Sequence, residues 1–430
     1  MLRPDQSRAN PPAARPRAAG DVPAASANAV ERPLAAELVR AFAERFGPGP
    51  APRLFFAPGR VNLMGAHLDY NGGPVMPTAI DRGTFIAARP APQGRVRLES
   101  LLEDARFEGR LPSGSSSEGP AWPGAASGRW FDYPLGVLRQ AQAAGQLQGG
   151  LELLFGGNLP IGAGLSSSAS ICVGTALAVE ALAGPAASGG GPERWVEQAL
   201  AAERGFVGVR CGIMDPNAVA RSRAGHLLWL DCLDGTLEHL PFPSASVAIG
   251  ICDSGVRRDL AAGAFNQRVA EAQALLRLLE PDEQRARCLR QVPVERFEAQ
   301  RGRIDPLLER RGAHVFGELA RTFRARELLA AGRFQEFGGL LTATHASLRE
   351  RYEVSTPELD LLVELAVGQA GVWGSRLTGA GFGGCTVLLG EPGSEAEVGA
   401  AIAAGFAARF GRAPGVRFYR GDPGPRELLL

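Results

Sequence analysis

The alternation of apolar and polar positions predicts strands and helices in both halves of the chain. Short apolar runs bounded by glycine or proline are typical of strands, and longer runs with apolar positions three or four residues apart are typical of helices. The predicted strands are 54–57, 75–80, 85–88, 151–155, 225–230, 247–252, 375–378, 385–389 and 415–420, with a hairpin over 94–111. The predicted helices are 32–46, 130–144, 169–182, 193–206, 266–279, 314–331, 334–348 and 395–410. Mixed elements in both halves predict an α/β (α+β) protein.

Length and composition divide the chain into a tail and two domains. A domain typically has about 150 residues. A chain of 430 residues therefore favours two domains, predicted as 31–235 and 236–430. Residues 1–30 are rich in alanine, proline, serine and arginine and are predicted to be a disordered tail. The tail lacks the apolar stretch of a secretory signal, although its composition is also typical of a transit peptide. No run approaches the ~20 apolar residues of a membrane span.

The basic side chains limit the chemistry that the chain can perform. The net charge is +1, so neither nucleic acid nor an anionic membrane is an expected partner. All 46 basic residues are arginine, because the sequence contains no lysine. A Walker phosphate loop and a protein kinase both need a lysine on the phosphates, so both mechanisms are excluded. Any phosphoryl transfer must therefore rely on backbone amides, arginine and a metal ion.

The cysteines indicate a compartment rather than a metal site. All six lie scattered through the sequence, and no two are spaced as in a zinc site. Scattered cysteines in apolar stretches are typical of buried thiols in a reduced compartment. The chain is therefore predicted to be cytoplasmic.

A loop of small residues over 156–170 is the first candidate for chemistry. It reads Gly-Gly-Asn-Leu-Pro-Ile-Gly-Ala-Gly-Leu-Ser-Ser-Ser-Ala-Ser between a predicted strand and an apolar helix. Small residues let the backbone approach a phosphate, and the helix start directs unpaired amides at it. The alternative is a glycine turn capped by serine, which is a common helix start. The candidate ATP-binding residues are Gly162, Ala163, Gly164, Leu165, Ser166, Ser167 and Ser168.

Three further segments contain glycine, and two of them also carry charged residues. The segment 57–73 contains Arg60, His67 and Asp69 between glycines, which suits the hydroxyls of a sugar-like ligand, although a polar loop with Asx turns is the alternative. In the segment 203–215, Asp215 lies among apolar and small residues, where an unpaired carboxylate is costly to bury. Glu203 could supply a carboxylate to a metal ion, or could be an exposed helix residue. A glycine-rich loop over 379–384 is the last candidate.

Together these segments resemble the GHMP kinase superfamily, and in detail they resemble the galactokinases. The segment 57–73 is similar to the galactokinase signature Gly-Glu-His-Thr-Asp-Tyr-Asn, 159–170 to the superfamily phosphate loop, and 375–385 to its third motif. The segment 347–360 and the group Trp130, Tyr133 and Gly136 also resemble the family. The resemblance implies a ribosomal-protein-like N-terminal domain and a ferredoxin-like C-terminal domain, with the active site between them.

The resemblance also implies a role for each matching position, with ATP and Mg²⁺ as cofactors. Asp215 matches the carboxylate that orients or deprotonates the anomeric hydroxyl of the sugar. Arg60 matches the arginine that keeps this carboxylate ionised and steadies the transferring phosphoryl group. Ser168 and Glu203 match the magnesium positions. The substrate-binding positions are Ala66, His67, Asp69, Gly212 and Phe265.

Three positions depart from the galactokinase pattern. Ala66 stands where the signature has a glutamate that accepts from the sugar 6-hydroxyl, and Phe265 stands where a tyrosine is expected. Pro216 replaces a glutamine after the catalytic aspartate. Losing one charged hydrogen bond costs roughly 1.5–3 kcal/mol, which is enough to alter substrate choice. The Gly-Ala-His sequence resembles galacturonokinases, and a glutamate here would repel a C6 carboxylate.

These observations predict a sugar 1-kinase that transfers the γ-phosphoryl group of ATP to galactose or a close analogue. A galacturonokinase or an L-arabinokinase with the same mechanism is the alternative, because neither substrate needs the missing glutamate. A non-catalytic regulator that senses sugar and ATP is a further alternative, although it predicts a damaged phosphate loop or a missing aspartate. The expected partners are a small sugar and ATP, and the chain is expected to act as a monomer.

Overall fold

The computed structural model describes residues 23–111, 123–160, 164–183, 190–256 and 261–430, with the side chains of 261 and 262 left out. The helices are α1 (Glu31–Phe46), α2 (Asp132–Ala143), α3 (Ser167–Ala183), α4 (Pro192–Ala201), α5 (Met214–Arg221), α6 (Ala261–Leu279), α7 (Val294–Gln300), α8 (Pro306–Ala330), α9 (Phe334–Ser347), α10 (Pro357–Val367) and α11 (Glu395–Phe410). The strands are β1 (Ala24–Ser26), β2 (Arg53–Asn62), β3 (Pro74–Val75), β4 (Pro77–Ala91), β5 (Arg95–Ser100), β6 (Phe107–Arg110), β7 (Gly150–Gly157), β8 (His226–Asp231), β9 (Leu237–Pro241), β10 (Ala248–Asp253), β11 (Val372–Leu377), β12 (Cys385–Gly390), β13 (Gly415–Tyr419) and β14 (Arg426–Leu429).

A seven-stranded sheet forms the centre of the first half. Its strand order is β1-β14-β2-β4-β7-β5-β6, and only the pairs β1–β14 and β5–β7 are parallel. The alanine-rich helix α3 packs on β2 and β4, where small residues allow close approach: a Cβ at Gly174 would lie 2.8 Å from the side chain of Ile86. This packing places the start of α3, which follows the glycine-serine loop, directly beside β2.

A four-stranded antiparallel sheet forms the centre of the second half. Its order is β11-β12-β10-β13. Successive side chains point to opposite faces of a strand. Ile251 and Leu389 accordingly pack with Leu341 of α9, whereas Leu388 packs with Leu362 of α10 and Ile402 of α11. The mixed α/β fold predicted from the sequence is confirmed.

A small third sheet and α8 join the two halves. The sheet has the order β3-β8-β9. One apolar cluster includes Leu68 and Leu228 from the first half and Val315, Leu319 and Tyr352 from the second half. Burying these apolar side chains together removes the joint surface from water and fixes the segment 63–73 against α8.

The strand pairing differs from the predicted boundaries at both ends of the chain. Residues 24–26 fall in the predicted tail, yet they form β1, which pairs with β14. The last strand, β14, pairs with β2 through Glu427 and Phe55, so the end of the predicted second domain completes the sheet of the first. The rest of the predicted tail, residues 1–22, lies outside the described residues.

Most predicted elements form, with a few additions. The hairpin predicted over 94–111 forms as β5 and β6. Helices α5, α7 and α10 and strands β1, β9 and β14 are not among the predicted elements, because short segments carry little periodicity. Among the described residues, no helix combines the length and apolar character that a membrane crossing requires.

A buried arginine fastens the chain terminus to the first sheet. Arg426 donates from Nη1 to Asp422 Oδ1 at 2.8 Å, it also pairs with Glu31, and its guanidinium lies over the ring of Phe56 at 4.6 Å. Breaking a buried charge network from one side typically costs about 3–5 kcal/mol, because the partners stay buried and unpaired.

We expect Arg426→Ala to lower the free energy of unfolding by about 3 kcal/mol, measured by urea denaturation. A loss below about 0.5 kcal/mol, which is usual for surface changes, would contradict this account.

Candidate active site

An ion pair between the buried Arg60 and the partly buried Asp215 joins two of the predicted catalytic residues. Arg60 lies near the end of β2, and Asp215 is the second residue of α5. The Nε and Nη2 atoms of Arg60 donate to the two carboxylate oxygens of Asp215, each at 2.8 Å. This bidentate arrangement is among the strongest hydrogen-bonded pairs in proteins. Pro216 follows in the first turn of α5, where its missing N–H removes no helical hydrogen bond.

The glycine-serine loop closes around this pair. Gly164 and Leu165 each accept a hydrogen bond from Arg60 through their carbonyl oxygens, at 2.7 Å from Nη1 and 3.0 Å from the backbone nitrogen. Ser166 has a φ of +60° and donates from Oγ to Asp215 Oδ2 at 2.5 Å. Three segments far apart in sequence therefore meet at one guanidinium group.

The pair lies in a cleft of about 400 Å³. Most predicted site residues line it: Arg60, Ala66, His67, Asp69, Gly164, Ser166, Ser167, Ser168, Glu203, Gly212, Asp215 and Phe265. The side chain of Leu165 instead packs in the apolar core, so only the backbone of this residue faces the other residues of the site. Gly162 and Ala163 lie outside the described residues. The glycine loop predicted near 379–384 contributes Gly379 and Ala380 to the cleft.

One wall of the cleft is aromatic. His67 donates to or accepts from the Tyr70 hydroxyl through Nδ1 at 3.0 Å, and Tyr70 bonds the Tyr352 hydroxyl at 2.8 Å. The ring of Phe265 lies 5.4 Å from that of Tyr70. Burial, together with nearby cationic side chains, holds the pKa of His67 well below its usual range, so the imidazole is neutral. This wall presents rings and a neutral imidazole to a ligand.

Asp69 faces the cleft in a confined position. Burial and, secondly, the charge of Asp215 raise the pKa of Asp69 to about 6. Its Oδ1 accepts the N–H of Tyr70 at 2.8 Å. A Cβ on Gly212 would lie 1.9 Å from Asp69 Oδ2, so only glycine leaves the carboxylate in this place. The chain thus holds a desolvated acceptor at the cleft surface.

Glu203 and Ser168 lie together beside the loop. Glu203 belongs to a π-helical turn, Ala202–Val207, that continues α4, and it is buried rather than exposed. Burial raises the pKa of Glu203 to about 7, although a hydrogen bond from Ser168 opposes this shift. The Cys211 thiol is 3.6 Å from Glu203 Oε2. Within the described ranges, no three His, Cys, Asp or Glu side chains are grouped to hold a metal ion by themselves.

A second cleft, of about 200 Å³, continues from the loop and was not predicted as a site. It shares Ser167 and Ser168 with the first cleft, and Trp130 and Tyr133 are among the residues that line it. Tyr133 is the second residue of α2, and Trp130 lies in the turn just before the helix, so the entry to α2 brings both rings to this cleft. The sequence contained this signal, since both residues belong to the segments that resemble the family. An aromatic slot beside a phosphate loop can hold a flat base.

Family models match three parts of the chain. Residues 40–90 match the galactokinase galactose-binding signature, 132–223 match the GHMP kinases N terminal domain, and 325–408 match the GHMP kinases C terminal. These ranges include His67 and Tyr70 of the aromatic wall, the loop with Glu203 and Asp215, and strands β11 and β12 of the second sheet.

Similar proteins cover most of the chain. A galactokinase of Roseiflexus sp. (strain RS-1) is 40% identical over 83% of this chain and 87% of its own length. The Homo sapiens galactokinase is 38% identical, over 84% and 90%. The crystal structure of Lactococcus lactis galactokinase complexed with galactose is 32% identical and covers 92% of this chain and all of its own, with a TM-score of 0.84. A Methanococcus jannaschii mevalonate kinase, 17% identical with a TM-score of 0.59, shares the fold alone. The sequence prediction is confirmed: the chain belongs to the galactokinase family of the GHMP kinases.

Proposed function

We propose that this protein is an ATP-dependent sugar kinase that transfers the γ-phosphoryl group of ATP to the anomeric hydroxyl of galactose. The observation that carries the proposal is the Arg60–Asp215 pair, which faces a cleft beside the glycine-serine loop. The similar proteins are named galactokinases, and one of them is complexed with galactose. A non-catalytic regulator is disfavoured, because the ion pair and the described part of the loop are intact.

Positioning and charge neutralisation provide the chemistry. Phosphoryl transfer has a loose transition state, so catalysis depends on alignment and on cations around the transferring group. Asp215 is proposed to orient the sugar hydroxyl and to accept its proton. Arg60 and Ser166 hold the Asp215 carboxylate in a fixed rotamer and direct it at the cleft. The guanidinium of Arg60 also supplies positive charge where a lysine would stand in other kinases.

The nucleotide is proposed to span the two clefts. Trp130 and Tyr133 offer flat surfaces for the base, and the amides at the start of α3 point at the phosphates. Ser167 and Ser168 line both clefts, so they mark the boundary between base and phosphates. ATP bound in this way places its γ-phosphate close to Asp215.

Mg²⁺ is proposed to bind at Ser168 and Glu203. A hydroxyl and a carboxylate in contact fit this ion, which usually takes one or two carboxylates and completes its shell with phosphate oxygens and water. The absence of a three-ligand protein cluster in the described ranges suits such a shared site. When bound, the ion supplies charge neutralisation for the phosphates.

The sugar is proposed to occupy the cleft between the aromatic wall and Asp69. Asp69 offers acceptors for two adjacent hydroxyls, and the neutral His67 offers one ring nitrogen to the cleft side. Gly212 leaves the space that Asp69 needs. Polar groups fixed in this way select hydroxyl positions, while the Phe265 ring contributes apolar contact.

An acidic sugar such as galacturonate is the second candidate substrate, and the charges behind Ala66 favour it. Ala66 lines the cleft without a carboxylate of its own. Behind it, the buried carboxylate of Glu318 accepts a hydrogen bond from Arg321, and it interacts electrostatically with the buried guanidinium of Arg376. Burial lowers the pKa of Arg376 only to about 10, so it is charged at neutral pH. The net charge of Glu318, Arg321 and Arg376 together is one positive charge, which favours the binding of a C6 carboxylate.

The compartment and the assembly state are proposals of the same kind. None of the six cysteines, all within the described ranges, forms a disulfide, which suits a reducing compartment. We propose a cytoplasmic monomer, because one chain supplies all the cleft residues named above.

The test of the proposed function is ATP consumption against galactose, galacturonate, L-arabinose and N-acetylgalactosamine. We expect turnover of at least one sugar by the wild type. Asp215→Asn should lower kcat by at least about a thousandfold, because the acceptor is lost, while the ATP dissociation constant stays within about twofold. Turnover of none of the four sugars, or wild-type turnover by the variant, would refute the proposal.

Ala66→Glu tests whether a charge at position 66 selects the sugar. A carboxylate here accepts from a 6-hydroxyl and repels a C6 carboxylate, so the ratio of kcat/KM for galactose to that for galacturonate should rise by about tenfold or more. Steady-state kinetics with both sugars measure this ratio. Ala66→Gln is the matched control, since it adds similar volume without charge. Equal ratios for the two variants would show that charge at this position does not select the sugar.

Gly212→Ala tests the placement of Asp69. The added Cβ must displace the Asp69 carboxylate, which can move away by rotating its side chain. We therefore expect the sugar KM to rise by about tenfold or more, corresponding to about 1.4 kcal/mol of lost binding, while the melting temperature changes little. Gly208→Ala is the control, because no atom lies within 4 Å of a Cβ there, although its φ of +86° carries a strain cost. An unchanged sugar KM in Gly212→Ala would contradict the role of Asp69.

A further inference from the structure

We propose that Glu318 and His314 of α8 form a clamp that holds the sugar-binding turn, residues 65–67, in its binding conformation. Both are then positioning residues, because they act on the sugar through this turn. The inference rests on the proposed sugar kinase function and adds to it a device from the second half of the chain.

Both clamp residues form hydrogen bonds with the backbone of the turn. Glu318 Oε1 accepts the N–H groups of Gly65 at 3.0 Å and of Ala66 at 3.1 Å. His314 Nε2 bonds the carbonyl oxygen of Ala66 at 3.1 Å. The two side chains are four residues apart and therefore lie on one face of α8. The backbone N–H and the carbonyl oxygen of Ala66 are thus both held by one helix, α8.

Glu318 is held by a second set of contacts. It has no exposed surface, and its Oε2 accepts from Arg321 Nε at 2.9 Å and from the Thr344 hydroxyl at 2.8 Å. A buried carboxylate persists only when charge partners and hydrogen bonds replace its water. The position of Oε1 is therefore determined by the surrounding core, and not by the turn.

The ring of His314 is oriented in the same way. Burial lowers the pKa of His314 to about 3, so the ring is neutral and carries one proton. The carbonyl of Ala66 accepts a hydrogen bond, which assigns that proton to Nε2. Nδ1 then accepts from the Ser347 hydroxyl at 2.9 Å. Ser347 thus fixes the ring orientation, as an outer partner does for a metal-bound histidine.

The turn needs this support because its backbone is strained. His67 has a φ of +60°, a left-handed conformation that is costly for a residue with a Cβ. Gly65 has a φ of +84°, and a Cβ there would lie 2.3 Å from the Pro74 carbonyl oxygen. A strained backbone conformation at a ligand site persists only when the surrounding contacts hold it in place. The strain presents Ala66 and His67 to the cleft, whereas neither clamp residue lines it.

Glu318→Gln is the main test, because the variant keeps the shape of the side chain and weakens both amide hydrogen bonds and the Arg321 contact. Galactose and galacturonate are titrated by calorimetry without ATP, and ATP is titrated separately. For galactose, which is uncharged, we expect the dissociation constant to rise by about tenfold. For galacturonate, His314→Leu gives the corresponding test, because it leaves the charge behind Ala66 unchanged. The dissociation constant of ATP should stay within about twofold. The sugar KM should rise by more than kcat falls, since the reacting groups are untouched.

A second variant and a control distinguish an effect on the position of the turn from a general effect on the stability of the fold. His314→Leu removes the donor to Ala66 and should raise the sugar dissociation constant in the same way, which carries the test if Glu318→Gln does not fold. Glu152→Gln is the control, because Glu152 is a buried carboxylate paired with Arg89 at 2.7 Å in the first sheet, away from the cleft. It should lower the melting temperature without a selective change in sugar binding.

Three results would overturn the clamp. The first is unchanged sugar binding in a folded Glu318→Gln or His314→Leu variant. The second is a parallel loss of sugar and ATP affinity, and the third is the same sugar-selective loss in Glu152→Gln. A wild-type protein that neither binds nor turns over any of the four sugars would instead refute the proposed function, and the clamp with it.

Discussion

The site depends on the burial of one guanidinium group. Arg60 is almost fully buried, and such a cation is tolerated only when its donors find charged or polar partners. The guanidinium donates to the carboxylate of Asp215 at the start of α5 and to the carbonyl oxygen of Gly164 in the glycine-serine loop, and the backbone N–H of Arg60 donates to the carbonyl oxygen of Leu165. None of these contacts can form unless α3 and α5 both pack against β2. The requirements of the cation therefore shape the fold around the cleft.

The sequence was sufficient to predict the groups at the centre of the cleft. Arg60, Asp69 and Asp215 are charged residues within apolar or small-residue segments, and such positions must be paired or functional. The structure brings them to one cleft with most of the other predicted site residues. The glycine-serine loop was predictable for a similar reason, since small residues before an apolar helix serve a backbone that approaches a ligand.

The supporting contacts could not be predicted in the same way. Glu318 and His314 lie in an ordinary amphipathic helix, and nothing in their spacing shows that they face a turn some 250 residues away. The short strand β14 has too few residues to show a pattern, and its pairing with β2 depends on the whole intervening chain. Leu165 was placed with the phosphate loop, but apolar burial directs its side chain into the core. Long-range packing decides each of these positions, and local periodicity does not report it.

The pairing of β14 also has a consequence for synthesis. Because the chain leaves the ribosome from its N-terminus, β2 is available long before the strand that pairs with its free edge. Until β14 emerges, that edge of the central sheet exposes unpaired backbone groups, which are a template for pairing with other chains. The nascent first half is therefore the stage at which aggregation is most favoured, and the synthesis of β14 is the event that covers this edge.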